Sequence, residues 1–299
     1  KGQQEDWFDS NFIIFFAIIA VIGLVGAVIW LLRQKEPVVK LSLFSLPSFS
    51  MPSLMIFFVG FALYSSSTLL PMMVQSNFGY DATLAGMVLS PSGLVVICIM
   101  PIIGKLVNKV QAKYLISTGM FLMAFGMWAT AQITPQSDYW TLVQVRILQV
   151  IGLPFLFVPS STLAFSKIKA VDSSNASAIV ALMRNLGGSI GIAIVTNKLI
   201  QSQQVEQNNI VQHLTNFDIG YNNALYNMTN TIKNLGFSET QASQMALGKI
   251  YRELMHQASL LAYADAYEFV ATIMILLGIV ALFMPKNELH GKKKTVVIE

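Results

Sequence analysis

The 299-residue chain is 54% hydrophobic and only 11% charged, with a mean hydropathy of +0.60. A soluble domain carries about 25% charged residues, so this chain has too little polar surface to cover its apolar bulk in water; a soluble globular, disordered, collagen-like or coiled-coil protein is excluded. The net charge of +4 is scattered over short loops, which argues against a nucleic-acid patch, and a single cysteine, Cys98, excludes an intrachain disulfide and a cysteine-based metal site.

A membrane-spanning helix needs roughly 20 mostly apolar residues, and seven segments qualify. The first, residues 12–32, follows a start at Lys1 with no signal-peptide pattern, so the initiating end is expected to lie upstream. The second, 52–74, sits in a stretch without charge from Lys40 to Asp81 and holds the polar run Tyr64, Ser65, Ser66, Ser67, Thr68. Such a run covers every helix face, so part of it must meet a polar cavity or the backbone; Tyr64, Ser65, Ser66 and Thr68 are the candidates taken from it. The third, 83–103, is free of charge and contains Pro91 and Pro101. The fourth is 114–133.

The fifth, 140–165, carries Arg146 about 9 Å below its outer edge at 1.5 Å per residue, with Gln149 one turn on. A buried arginine costs at least about 2.5 kcal/mol at a helix centre; Arg146 either faces a cavity or partner or snorkels to the interface. Pro154 and Pro159 in the same span predict a bent helix. The sixth, 176–197, carries Arg184, then Gly187, Gly188 and Gly191, a spacing that lets another backbone approach closely. Arg184 serves either transport or a structural contact with backbone carbonyls.

Residues 198–257 are polar, but Leu225, Met228, Ile232 and Leu235 recur at helical spacing before Gly236, and Ser238 with Gln241 forms a capping-box pattern. They are expected to form a helical hairpin outside the membrane. The seventh span, 259–284, contains Asp265, with Glu268 at i+3. A carboxylate in low dielectric takes up a proton more readily; Asp265 either plays that part or caps and pairs near the surface. Its depth would also suit a pair with Arg146.

Orientation follows from lysine and arginine. Arg33, Lys35 and Lys40, then Lys105, Lys109 and Lys113, then Lys167 and Lys169, and finally Lys286 and Lys292 to Lys294 fall on one side, whereas 75–82 and 134–139 hold none. The basic side is read as cytoplasmic, with the N-terminus outside and the C-terminus inside. The expected organisation is therefore an all-α integral membrane protein: an outer segment, linker helix and connector over 1–51, a six-helix bundle over 52–284, and a basic tail over 285–299. The three histidines, His213, His256 and His290, fall in segments read as loops or tail, and no HExxH, P-loop or GxSxG pattern occurs. No enzyme, cofactor or metal site is expected.

Several motifs resemble the C-terminal half of the EmrB/QacA type of drug-efflux carriers, within the major facilitator superfamily. These are Gly2-Gln3-Gln4 with Asp6-Trp7-Phe8, and Pro37-Val38-Val39 with Leu41-Ser42-Leu43-Phe44. Leu70-Pro71 with Gln75, and Ala85-Gly86, Pro91, Gly93, Pro101 and Gly104, follow in the same order. Arg146 to Gln149 and Gly152 is similar to the superfamily's R-x-x-Q-G motif, and Arg184 to Gly191 to R-x-L-G-G-S-x-G. Gln257, Tyr263 and Asp265-Ala266-Tyr267 look like the start of the family's last span. Asn108 stands where the superfamily carries a loop aspartate, and Val150 where a glycine follows the glutamine.

The resemblance implies spans eight to fourteen of a fourteen-span carrier that exports lipophilic drugs against protons by alternating access. It also implies, for EmrB-like carriers, a periplasmic adaptor and an outer-membrane channel, and a place in the inner membrane. Two other readings fit the bare topology: a solute-specific carrier of the same superfamily, and a seven-helix receptor.

Overall fold

The computed structural model describes residues 11–34, 40–166, 168–212 and 219–284. The opening motif at 2–8, the Pro37-Val38-Val39 motif and the basic tail 285–299 lie outside the described residues. The described chain is helical: α1 (Asn11–Arg33), α2 (Pro47–Phe78), α3 (Ala82–Leu106), α4 (Ala112–Ala131), α5 (Tyr139–Ile151), α6 (Leu153–Phe165), α7 (Ser173–Gln212), α8 (Ile219–Lys233) and α9 (Glu239–Leu282), with a short 3-10 turn at Leu41–Ser45 and another at Ala170–Asp172. Among the described residues, six helices are long and apolar enough to cross a membrane, α5 and α6 counting as one over Tyr139–Phe165. The first expected span, 12–32, coincides with α1, whose described apolar stretch is Ile14–Gly23. This is an all-α, multi-pass membrane protein.

Local chemistry sets the helix ends. Asp81 accepts from the Leu84 N–H at 2.7 Å at the start of α3, and Asp138 accepts from the Thr141 N–H at 3.0 Å at the start of α5; each satisfies a donor that the first turn leaves free. Gly79 closes α2 with φ 66°, a left-handed conformation in which a side chain would be strained. Ser238 and Gln241 form the expected capping box at the head of α9, just after Gly236 at φ 96°.

The bundle is organised by two helix pairs, α2 on α7 and α4 on α9, joined by α7 on α9, α4 on α5 and α2 on α6. Its main core draws Leu69, Leu70 and Met73 from α2, Met120, Met123 and Met127 from α4, and Tyr267, Val270 and Met274 from α9. A second, smaller core joins Leu43, Phe49 and Ile56 to Ala164, Ala176 and Ile179. Beside it, Lys40 donates to Asp172 at 2.6 Å, tying the connector to the entry of α7. The described side chains of α1, by contrast, are largely exposed: Phe15, Val21 and Ile22 all stand open, as expected of a helix whose solvent is lipid.

The helix carrying Leu225, Met228 and Ile232 and the second helix starting at Glu239 and running into the last span form as the spacing and the capping box predict, as α8 and the head of α9. Two features differ from the sequence reading. α7 runs unbroken to Gln212, well past the expected end of its span at 197. Hydrogen-bonded turns continue through the change from apolar to polar sequence, because helix formation depends on the backbone and not on hydropathy. Ile232, Ala242 and Ala246 form a small core between α8 and α9. For the same reason His256 is not in a loop: it lies in α9, with its Nε2 2.7 Å from the Asn77 carbonyl oxygen at the end of α2.

Candidate functional site

The interior of the bundle holds one connected polar cluster. Arg146 on α5 is 6% exposed. Its Nη1 donates to Ser66 Oγ and to Gln149 Oε1, both at 3.1 Å, and its Nη2 donates to Ser67 Oγ at 2.9 Å. Gln149 is fully buried and donates through Nε2 to Thr130 Oγ1 at 2.7 Å; Thr130 donates in turn to the Gly126 carbonyl at 2.7 Å. The chain of contacts therefore runs from α2 through α5 to α4. Tyr267 from α9 is buried beside Arg146 and Gln149, but its hydroxyl makes no hydrogen bond of normal geometry, and neither does Arg146 Nε.

Close backbone contact makes this cluster possible. A Cβ on Gly126 would meet the backbone of Leu148 and Gln149, and Gly119 and Gly152 face each other so closely that a Cβ on either would meet the other's carbonyl oxygen. The bend read from Pro154 and Pro159 occurs at Gly152, where α5 ends and α6 begins. Pro154, at the first turn of α6, has no N–H to continue the ladder of α5. α3 passes through Pro91 and Pro101 without ending.

Arg146 does not pair with Asp265, although their similar depths suited it. Depth is shared by a whole ring of residues, whereas a pair also requires facing sides. Here Tyr267, not Asp265, is turned to Arg146. Asp265 is half-buried and Glu268 exposed. Of the run on α2, Ser66 and Ser67 hold the arginine. Ser65 is buried with an unbonded hydroxyl, Thr68 is half-buried, and Tyr64 is exposed on the side of α7.

Arg184 belongs to a second locality. α2 and α7 cross here with their backbones in contact: a Cβ on Gly187 would collide with the Phe57 carbonyl, and one on Gly60 with the Arg184 carbonyl. Gly188 lies against the Tyr64 ring, and a Cβ on Gly191 would stand 2.8 Å from both the Phe61 carbonyl and Ser65 Oγ. The guanidinium is half-buried and lies over the Phe157 ring at 5.9 Å, and its Nε is buried without a partner.

Sequence reading missed Ser67 as a partner, and also Thr130, Tyr267 and Gly60. A threonine four residues after a glycine in an apolar span was the available signal for Thr130; for Gly60 the available signal was only that α7 carried glycines needing a partner surface. Among the described residues no cluster of His, Cys, Asp or Glu could hold a metal.

Comparison with known proteins fits this architecture. Residues 7–192 match the family described as Major Facilitator Superfamily. The chain is 30% identical over 244 residues to the multidrug export protein EmrB of Haemophilus influenzae, covering 81% of this chain and 47% of that protein. It is 27% identical to the colistin resistance protein EmrB of Acinetobacter baumannii, over 96% of this chain and 56% of that one. With the multidrug export protein EmrB of Escherichia coli it shares 26% identity, over 95% of this chain and 54% of the relative. The chain thus spans about half the length of the curated relatives it matches. A seven-helix receptor is overturned by these matches: the chain belongs to the major facilitator superfamily of membrane transporters.

Proposed function

We propose that the chain is the second half of a proton-coupled multidrug exporter, which works by alternating access between this bundle and a preceding one. What supports this beyond the relatives' names is the cluster around Arg146. A guanidinium held inside a membrane bundle by hydroxyls and an amide, with no carboxylate bonded to it among the described residues, is costly. It is the kind of group retained where charge or protons must be handled. Serine and glutamine partners meet the donors of its two terminal nitrogens without cancelling its charge. A nearby proton-binding group would therefore feel the full field of Arg146.

On this reading the transported species are lipophilic small molecules and protons, the coupling acids lie at least partly in the preceding half, and Asp265 is a secondary candidate. The basic loops face the cytoplasm across the inner membrane, and the α8 end of the bundle lies outside, within reach of a periplasmic adaptor and an outer-membrane channel. The carrier hypothesis is tested in proteoliposomes holding the full-length protein with an imposed pH gradient. Drug accumulation should follow the gradient and dissipate it. Drug movement indifferent to the gradient would overturn antiport, and movement confined to one solute would favour a solute-specific carrier.

A further inference from the structure

Two polar atoms inside the bundle have no partner among the described residues, and they belong to the same cluster. Arg146 Nε is buried and unbonded, although both terminal nitrogens donate. Tyr267 on α9 is fully buried, and its hydroxyl is unbonded as well. The tyrosine lies against Gln149 and beside the Arg146 charge. The two groups are complementary: a guanidinium N–H can only donate, whereas a phenol oxygen both accepts and donates. Leaving a buried hydroxyl unmet is costly, and phenylalanine would fill the same space without that cost.

The helices that carry the cluster do not pack as one unit. α5 packs on α3 and α4, and α9 packs on α4 and α7, whereas α2 packs on α6 and α7. Arg146 therefore reaches from α5 to Ser66 and Ser67 across a gap in the main helix packing. On α2 the backbone is weakened at that very point. Pro71 lies inside the helix; it has no N–H for the carbonyl of Ser67, four residues earlier. A bend of α2 at Ser67 takes both serines away from Arg146. It leaves Gln149, which shares α5 with the arginine, and Tyr267, whose helix packs on the same neighbour, α4.

We propose that Tyr267 is a positioning residue that receives Arg146 when α2 bends at Ser67. An Arg146 N–H then donates to Tyr267 Oη, and the Tyr267 O–H donates to Gln149 Oε1, in the place that Arg146 Nη1 leaves. Gln149 keeps its own bond to Thr130 throughout. The buried charge is thus passed from α2 to α9 and is not left bare, and the position of α2 is coupled to the bonding of Arg146. The proposal rests on the exporter reading only for the use to which the two states are put.

The test uses the full-length protein in lipid nanodiscs. Ser66→Ala/Ser67→Ala removes the α2 partners with little change of volume. Ultraviolet resonance Raman bands of tyrosine report whether the hydroxyl is hydrogen-bonded, and subtracting the spectrum of the matching Tyr267→Phe protein isolates Tyr267 from the other tyrosines. Tyr267 should read as unbonded in the wild type and as bonded in Ser66→Ala/Ser67→Ala; Ser66→Thr/Ser67→Thr, which keeps the hydroxyls, should restore the wild-type signal. Tyr267→Phe should not lower the melting temperature of the wild type but should lower that of Ser66→Ala/Ser67→Ala, a coupling that independent residues do not show. Ser67→Ala alone gives the same comparison if the double variant does not fold. A hydroxyl already bonded in the wild type, a Tyr267 signal unchanged by loss of the serines, or an equal effect of Tyr267→Phe in both backgrounds would overturn the proposal. Neither readout involves transport, so this proposal and the exporter reading can fail separately.

Discussion

The two arginines inside the bundle occupy opposite situations. Arg146 is turned inward, almost completely buried, and both its terminal nitrogens donate to side chains of α2 and α5. Arg184 is half-buried and lies over an aromatic ring, with neither terminal nitrogen donating to a side chain among the described residues as those of Arg146 do; the Nε of both arginines is buried without a partner. One guanidinium is a structural component of its own bundle; the other is only partly provided for by it. An arginine at membrane depth must have its donors met somewhere. The contrast shows that the same residue type, in two motifs of equal prominence, can meet that demand within the bundle or leave part of it open at the bundle's edge.

The largest effect should come from the crossing that positions Arg184. Gly187→Val places methyl groups where the Phe57 carbonyl already stands, and a backbone oxygen cannot rotate aside as a side chain can. Overpacking costs about 1–3 kcal/mol even where neighbours relax, so the α2–α7 pair should separate; loss of the monodisperse species on size-exclusion chromatography would show it. A well-folded Gly187→Val protein would mean that the close approach is not required.

Next come the arginines themselves. Arg146→Ala removes three charge-assisted bonds, each worth about 1.5–3 kcal/mol in a buried setting. It should lower both thermal stability and drug transport by tenfold or more. Arg184→Ala should leave the melting temperature nearly unchanged and act on transport alone. If Arg184→Ala unfolds the protein while Arg146→Ala does not, the comparison is reversed.

The smallest effect lies outside the membrane, at the cap of α5. Hydrogen bonds from the Thr141 side chain and backbone hold the Asp138 carboxyl below the ordinary carboxylate range. The sign is that of a depressed acid: the cap's contribution is complete above the ordinary carboxylate pKa and is lost as pH falls through the lowered one. Asp138→Asn should therefore flatten the acid limb of a melting-temperature profile slightly and leave the neutral region alone.

Much of the fold was legible because lipid imposes a simple rule. A span must be long, apolar and helical, so segments such as 83–103 and 114–133 stand out by composition and match α3 and α4. The capping box at Ser238 and the break near Pro154 were equally local, since they depend on residues within one turn of each other. The cluster around Arg146 was legible only in its local part: Gln149 at i+3 lies on the same helix face, and it is indeed bonded to Arg146. Ser66, Ser67 and Thr130 are separated from their partners by 80, 79 and 19 residues, beyond any spacing rule. The depth argument for Asp265 failed for the same reason, because depth does not say which way a side chain faces.

The sequence by itself determined the membrane class, the placement of the six spans found among the described residues, the capping box that opens α9, and the family, since each depends on composition or on neighbours along the chain. Only the tertiary structure decided which helices meet and with which faces. That choice fixed the glycine crossing of α2 and α7, the hydroxyl partners of Arg146, and the burial of Tyr267 beside them. In lipid, apolar burial does not drive helices together; association rests on packing shape and hydrogen bonds between helices. Such contacts are made by residues far apart in the chain, and hydropathy does not register them.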